Sequence, residues 1–252
     1  MIVVKTHAQI DKMRQAGRIV AQTLDLMEKL ARPGVRTIEL DSAAEEFILA
    51  AGATPAFKGY MGYPATLCVS INDVVVHGIP GDQRLEEGHI VSVDVGVRLD
   101  GWYGDAARTI RIGEITPEAT RLLDITQEAL RRGISQARPG NRLGDISAAV
   151  QTFAEQNGYS VVRELVGHGI GQRMHEEPQV PNFGRPHTGP ELKSGMVLAI
   201  EPMLNVGTHA VTFDADKWTV RTADGSLSAH FEHTVAITEQ GPEILTLVEG
   251  AR

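Results

Sequence analysis

Apolar residues recur along the first thirty positions in steps of three and four. Ile10, Met13, Gly17, Val20, Leu24 and Met27 fall on one stripe, and Thr6 with Gln9 has the spacing of a capping box, so an amphipathic helix is predicted there. A turn at Arg32-Pro33-Gly34 leads into a second stripe, Leu40, Ala44, Phe47 and Ala51, which stops at Gly52 as a helix ended by a left-handed residue would. Later the period shortens to two. Val91, Val93, Val95 and Val97 alternate with other residues, which predicts a strand, and Asp100-Gly101 predicts the turn of a hairpin.

The pattern then repeats. Ala31-Arg32-Pro33-Gly34 and Arg36 are matched 106 residues later by Ala137-Arg138-Pro139-Gly140 and Arg142, Phe47 by Phe153, and Gly52 by Gly158. Thr116-Pro117-Glu118 starts a helix with proline at its first position, and Leu130 stands 106 after Leu24. At an offset of 107, Leu85, Gly88, Val91, Val93 and Asp94 are matched by Leu192, Gly195, Leu198, Ile200 and Glu201. Both copies also carry His-x-x-Pro, as His77-Gly78-Ile79-Pro80 and His175-Glu176-Glu177-Pro178. Two halves are therefore expected, about 1 to 115 and 116 to 252, each two helices followed by strands. No linker rich in Pro, Gly or Ser divides them, so they are expected to share one core. An approximate two-fold relation would bring Asp94 to face Glu201.

Composition narrows the class. A chain of 252 residues with 42% hydrophobic residues buries a sizeable core without staples. Its one cysteine, Cys68, excludes an internal disulfide and a zinc site of several thiolates, and fits a reducing compartment. A net charge of −8 and no Lys/Arg block give no support for nucleic-acid or membrane-surface binding. The opening MIVVKTHAQIDKMR does not read as a secretory signal and no apolar run is long enough to span a bilayer, so a soluble, cytoplasmic protein is expected.

Asp94 lies on the strand face opposite the valines, and a solvated face would explain it as well as a site would. Glu201 is harder to dismiss. Its neighbours Val197, Ala199 and Met203 are apolar, and a lone carboxylate among them must be protonated, paired or metal-bound. Asp105 follows Asp94 by 11 residues across the hairpin turn, and Glu232 follows Glu201 by 31, beyond a second turn at Asp224-Gly225. Four carboxylates would converge from two hairpins, and two divalent cations would neutralise them. His168, in Gly167-His168-Gly169-Ile170-Gly171, is a candidate nitrogen ligand. That run is not G-x-G-x-x-G; Walker and G-x-S-x-G motifs are absent, and H-E-x-x-H fails because position 179 is Gln. His7, His89, His187, His209, His230 and His233 read as structural or exposed.

Over nearly its whole length, from the first helix to Leu245, the chain resembles the type I methionine aminopeptidases of the pita-bread fold family. The resemblance rests on Tyr60 to Tyr63 with Cys68, on His77-Gly78-Ile79-Pro80, on Asp94 and Asp105, and on Gly167-His168-Gly169-Ile170-Gly171. It continues through His175-Glu176-x-Pro178, Glu201-Pro202-Met203, and Ser226-Leu227-Ser228-Ala229 before Glu232-His233-Thr234.

It implies an α+β pita-bread fold: internally duplicated, with a curved, mainly antiparallel sheet and helices packed on its outer face, forming a single catalytic domain over 1–252. It implies that Asp94 chelates one divalent ion, that His168 and Glu201 bind a second, and that Asp105 and Glu232 bridge both. Oxygen and imidazole ligands suit Co, Mn, Fe or Zn alike. A water shared by the two ions would supply the nucleophile. Glu201 would also act as general base, His175 would stabilise charge on the scissile carbonyl, and His77 would hydrogen-bond the peptide near the leaving nitrogen. Tyr60, Tyr63, Cys68, Met174 and Trp218 would line the methionine pocket, with Phe57 and Met174 at positions where the family varies.

The implied activity is removal of the N-terminal methionine from nascent proteins and peptides with a small second residue. Family habit implies a monomer, with ribosome association as a further expectation. The nearest rival is an X-Pro aminopeptidase or prolidase of the same fold, which usually carries a separate N-terminal domain, whereas here the repeat begins within ten residues of Met1. Type II methionine aminopeptidases carry a helical insertion between the last two glutamates. A non-catalytic binding module would have lost metal ligands, and all five are present.

Overall fold

Thr6 starts the first helix as its spacing predicts. Its side chain accepts from the Gln9 amide at 3.4 Å, and the Gln9 side chain accepts from the Thr6 amide at 2.9 Å. The computed structural model describes residues 1–248, and residues 249–252 of the expected domain lie outside them. Helix α1 spans His7–Leu30 and buries every residue of the predicted stripe. Burial contributes about 2 kcal/mol for each enclosed Leu or Met, so packing more than propensity holds the helix. The stripe contains a glycine because a Cβ on Gly17 would lie 2.3 Å from the Leu245 carbonyl oxygen, and Gly104 on the sheet is small for a matching reason, a Cβ there lying 2.9 Å from the Gly17 nitrogen. Helix α2 spans Thr37–Ala50, and its buried line runs through Leu40, Ala44 and Ile48. Phe47 is only half-buried, and Ala51 is an exposed cap residue, because the stripe turns one position away from the expected line.

Strands β1 (Thr54–Pro55), β2 (Leu67–Ile71), β3 (Val74–Val76), β4 (Ile90–Leu99) and β5 (Trp102–Arg111) follow. Helices α3 (Pro117–Ser135) and α4 (Leu143–Gln156) then lead to β6 (Ser160–Val161), β7 (Gly167–Gly169), β8 (Glu176–Val180) and β9 (Val197–Ile200). The chain ends in β10 (Met203–Asn205), β11 (Val211–Phe213), β12 (Val220–Thr222), β13 (Ser228–His230), β14 (His233–Thr238) and β15 (Gly241–Ile244). In the first sheet, β4 takes β1 and β2 along one edge and β5 along the other. A five-stranded sheet has the order β15-β14-β9-β7-β8, and two smaller sheets run β13-β10-β6 and β11-β12-β3. All these pairings are antiparallel. Helices α1 and α2 pack on the first sheet, while α3 and α4 pack on β6, β8, β9, β10, β13 and β15. The result is the expected α+β, pita-bread arrangement. No described helix is long and apolar enough to cross a membrane.

The repeated segments take the same local structure. Arg36 bridges to Arg84, and Arg142, its match, bridges to Glu191. The Arg36 amide donates to Glu39 and the Arg142 amide to Asp145, each at 2.7 Å, so α2 and α4 begin alike. One buried cluster lies mainly under each helix pair. A third joins Ile10, Met13 and Trp102 to Ile170, Val197, Ala236 and Leu245, drawing on both ends of the chain.

Candidate metal centre

The β4–β5 turn sets the first pair of carboxylates. Asp100 and Gly101 both have positive φ, 48° and 81°, as a two-residue hairpin requires. The resulting register sets Gly96 opposite Asp105 and Asp94 opposite Ala107, while on the other edge Cys68 faces Asp94. With a period of two, Cys68, Asp94, Gly96 and Asp105 share one face, and the two aspartates are diagonal neighbours. The valine face packs into the core, and the aspartate face is no solvated surface either. Asp94 Oδ1 and Asp105 Oδ1 are buried without a hydrogen-bond partner.

The second pair forms differently from the expected hairpin. The turn at Asp224-Gly225 exists, but it joins β12 to β13. The chain between the glutamates leaves to build β11 and β12, the latter pairing with β3. Glu201 and Glu232 are brought together by β9 and β14, which pair Ile200 with His233 and Ala199 with Thr234. His168 faces Ala199 from the other side. His168, Glu201 and Glu232 are therefore displayed together.

Short hydrogen bonds join the two displays. Thr234 Oγ1 accepts from the Asp105 amide at 3.0 Å and donates to its carbonyl at 2.8 Å. The Glu232 amide donates to Ala107 O at 2.9 Å. One cavity of about 440 Å³ results, lined by all five expected ligands, by His77 and His175, and by Tyr60, Tyr63, Cys68, Met174 and Trp218. Phe57 and Met61 complete the lining.

The electrostatics are those of an acidic cluster short of positive charge. Asp105 and Glu232 are 4% and 2% exposed. Burial pushes the Asp105 carboxyl up to about 8. Burial, then the charge of the neighbouring carboxylates, pushes Asp94, Glu201 and Glu232 well up. His168 is held neutral by burial, its pKa lowered to about 4. Its Nδ1 lies 2.9 Å from Gly169 O, and because a carbonyl can only accept, Nδ1 carries the hydrogen. Nε2 then presents a bare lone pair 3.7 Å from Asp105 Oδ2 and 3.8 Å from Glu201 Oε1. Lone pair against carboxylate is repulsive unless a proton or a cation lies between them, and only a cation lets all the carboxyls here stay ionised. Ligand atoms of Asp105, His168 and Glu232 lie within 4.8 Å of one another. The residues present fit a divalent cation.

The two histidines outside the ligand set occupy different settings. His175 Nδ1 is 2.9 Å from the Tyr60 hydroxyl, and its ring is 4.2 Å from that of His168. Burial, then the charge of His168, lowers its pKa to about 4. His77 has φ 59°, a left-handed conformation uncommon outside glycine, and stands 6.3 Å edge-on from Trp218. Tyr63 is fixed within the wall, its hydroxyl lying 2.9 Å from Leu67 O and 3.0 Å from Gly78 O.

The sequence reading missed His230. It is 2% exposed, and its Nε2 has no hydrogen-bond partner and stands 3.7 Å from Glu201 Oε2. Glu201, His230 and Glu232 form a second group of potential ligand atoms within 4.8 Å of one another. The signal was its place two residues before Glu232, which has meaning only once β13 is known to be enclosed. His233 is half-buried, and its Nδ1 is satisfied by Thr246 at 2.9 Å.

Comparison with known proteins gives the family. The model of metallopeptidase family M24 matches residues 11–239. The methionine aminopeptidase of Clostridium perfringens is 56% identical over 249 residues, covering 99% of this chain and 100% of that protein. The crystal structure of methionine aminopeptidase from Rickettsia prowazekii superposes with a TM-score of 0.97 at 46% identity, covering 98% of this chain and 100% of that one. Prolidase from Pyrococcus furiosus shares the fold at a TM-score of 0.79 and 25% identity, but this chain covers only 66% of it. The chain belongs to metallopeptidase family M24 and, within it, to the methionine aminopeptidases.

Proposed function

We propose that the cavity removes N-terminal methionine from peptides and nascent proteins with a small second residue, using two divalent ions. The observation that carries this reading is the bare Nε2 of His168 directed at Asp105 and Glu201 inside a buried acidic cluster. Asp94 would hold one ion, His168 and Glu201 the other, with Asp105 and Glu232 shared. Such ions, when bound, polarise a carbonyl and bring the pKa of water toward neutrality.

The chain's own groups do the rest. Glu201 borders the cluster and takes a proton from water, then delivers it to the departing amine. His175, neutral and oriented through Nδ1, donates from Nε2 to the carbonyl oxygen as it gains charge. His77 hydrogen-bonds the peptide on the leaving side. Tyr63, Cys68, Trp218 and Phe57 pack as one apolar cluster, and with Met174 and Tyr60 they offer an unbranched thioether a dry, polarizable wall. The two halves, 1–115 and 116–252, act as one catalytic domain related by an approximate two-fold. The working form is a cytoplasmic monomer, with ribosome association bringing it to emerging chains.

A substrate panel of Met-Ala-Ser, Met-Leu-Ser and Ala-Pro-Ser tests this reading on protein supplied with divalent metal. Met-Ala-Ser should be cleaved fastest. Preference for Ala-Pro-Ser would favour a prolidase, and no cleavage together with no metal uptake would favour a binding module.

A further inference from the structure

Lys5 and Glu176 are 171 residues apart, yet Lys5 Nζ donates to Glu176 Oε2 at 2.9 Å with side chains only 2% and 5% exposed. Desolvation of two charges offsets most of their attraction, so a buried pair of this kind is weak evidence for a stabilising role. The surrounding backbone is shaped to admit it. A Cβ on Gly171 would lie 2.7 Å from both Glu176 Oε1 and Lys5 Cε, and a Cβ on Gly195 would lie 2.6 Å from Lys5 O. The Lys5 amide also donates to Gly195 O at 2.7 Å, which fixes the segment before α1.

Glu176 does more than pair. Its Oε1 accepts from the amides of Gln172 and Arg173, at 3.0 and 3.2 Å. Residues 171–175 belong to no helix or strand; the Gly171 amide donates to Arg173 O at 3.2 Å and the Tyr103 amide to Gly171 O at 2.9 Å, and this carboxylate supplies the two further bonds nearest Met174 and His175. The turn carries Met174 and His175 into the cavity, whereas Glu176 and Lys5 are not part of the cavity lining. Lys5 lets Glu176 remain charged where water does not reach, leaving Oε1 for both amides. Without it the carboxylate would take up a proton or turn toward solvent, and the Gln172 and Arg173 amides would lose their acceptor, leaving the turn held only at its Gly171 end.

We propose that Lys5 and Glu176 are positioning residues: their ion pair holds the 171–176 turn so that His175 and Met174 meet the substrate in one fixed geometry. The inference rests on the aminopeptidase reading of the cavity. Displacement of a catalytic group by about 1 Å costs on the order of 100-fold in rate, so a distant anchor can matter to turnover.

The test uses the full chain supplied with Mn²⁺, as wild type, Lys5→Met, Lys5→Arg, and the double variant Lys5→Met/Glu176→Leu, which leaves no lone buried charge and no acceptor for the two amides. Lys5→Met and the double variant should lower kcat on Met-Ala-Ser by about 10- to 100-fold, with KM within about three-fold and metal content and circular dichroism unchanged. Lys5→Arg should recover most of the rate, and the imidazole ¹H–¹⁵N resonances of His175 should shift in Lys5→Met. Wild-type kcat in the double variant, a rate loss that tracks lost metal or lost folded protein, or unshifted His175 resonances would overturn the inference. Failure of the wild type to cleave Met-Ala-Ser would remove the aminopeptidase reading instead, and the His175 spectra would still decide whether the pair holds the turn.

Discussion

The Tyr60 hydroxyl lies 2.9 Å from Nδ1 of His175, with the two rings 5.3 Å apart at 35°. One side chain before β2 thus commits one nitrogen of a histidine carried by the turn before β8 and leaves Nε2 for chemistry. Tyr60→Phe should lower kcat on Met-Ala-Ser about five-fold, the equivalent of about 1 kcal/mol for one hydrogen bond. KM should barely move, since the ring is kept. Steady-state kinetics measure both, and an unchanged kcat would show the bond to be idle.

Glu201→Gln should lower turnover by about 10²- to 10⁴-fold while peptide affinity changes far less, because it removes a base and a ligand together. Single-turnover rates and peptide binding separate the two effects. His175→Ala should reduce turnover with metal content intact, since Tyr60 and not a cation holds its Nδ1. Metal analysis that shows ions lost from His175→Ala would make that histidine a ligand.

The metal-free protein should lose stability as pH rises from 6.5 to 8. Burial raises Asp105 to about 8 from its ordinary 3.8, and Asp94, Glu201 and Glu232 are raised as well. A carboxyl raised in the folded state stabilises it fully below the unfolded pKa and loses that contribution as pH climbs through the folded value. Histidines lowered to about 4, including His77 and His168, act in the opposite sense, mainly below their ordinary 6.5 and fading out about one unit above it. Between 6.5 and 8 each such histidine still gains about 0.4 kcal/mol as its unfolded form loses its last protons, whereas Asp105 by itself contributes a loss of about 2 kcal/mol and the three other raised carboxyls add to that loss, so the net change is a loss. Thermal unfolding in chelator at the two pH values measures this, Mn²⁺ should abolish it, and rising stability across the window would contradict it.

Gly96 sits on the cavity face of β4, where a Cβ would lie 2.6 Å from Phe57 Cε1 and 3.1 Å from Met174 Cε. Those two are side-chain ends that can yield, and Ala56 Cβ, at 3.0 Å, must give by a few tenths of an ångström, so Gly96→Ala should push Phe57 and Met174 into the methionine pocket without unfolding the strand. One added methyl there should raise KM for Met-Ala-Ser about ten-fold or more, with a smaller effect on kcat. Equal KM values would place the methionine side chain elsewhere in the cavity.

How far this site could be read in advance followed the range of the interactions. Asp94 and Asp105 were legible as a pair because a two-residue turn fixes the register between them. Glu201 and Glu232 were legible as partners through the repeat, but not their route, since a detour through β11 and β12 leaves no local periodic mark. The α1 stripe came through in full because 3.6-residue periodicity is local, whereas the reason for Gly17 in it lies far along the chain, at the Leu245 backbone. The bond from Tyr60 to His175 gave no signal, and the one that His230 gave, its place two residues before Glu232, means nothing until β13 is known to be enclosed. Each depends on which distant segments meet, and no spacing along the chain encodes that.

The central claim is that the converged carboxylates and His168 exist to hold cations. Calorimetric titration of metal-free protein with Mn²⁺ near neutral pH tests it most directly. The account predicts two ions per chain, with proton release on binding and at least one ion lost in Asp105→Ala. Absence of binding, or a stoichiometry that Asp105→Ala leaves unchanged, would contradict it.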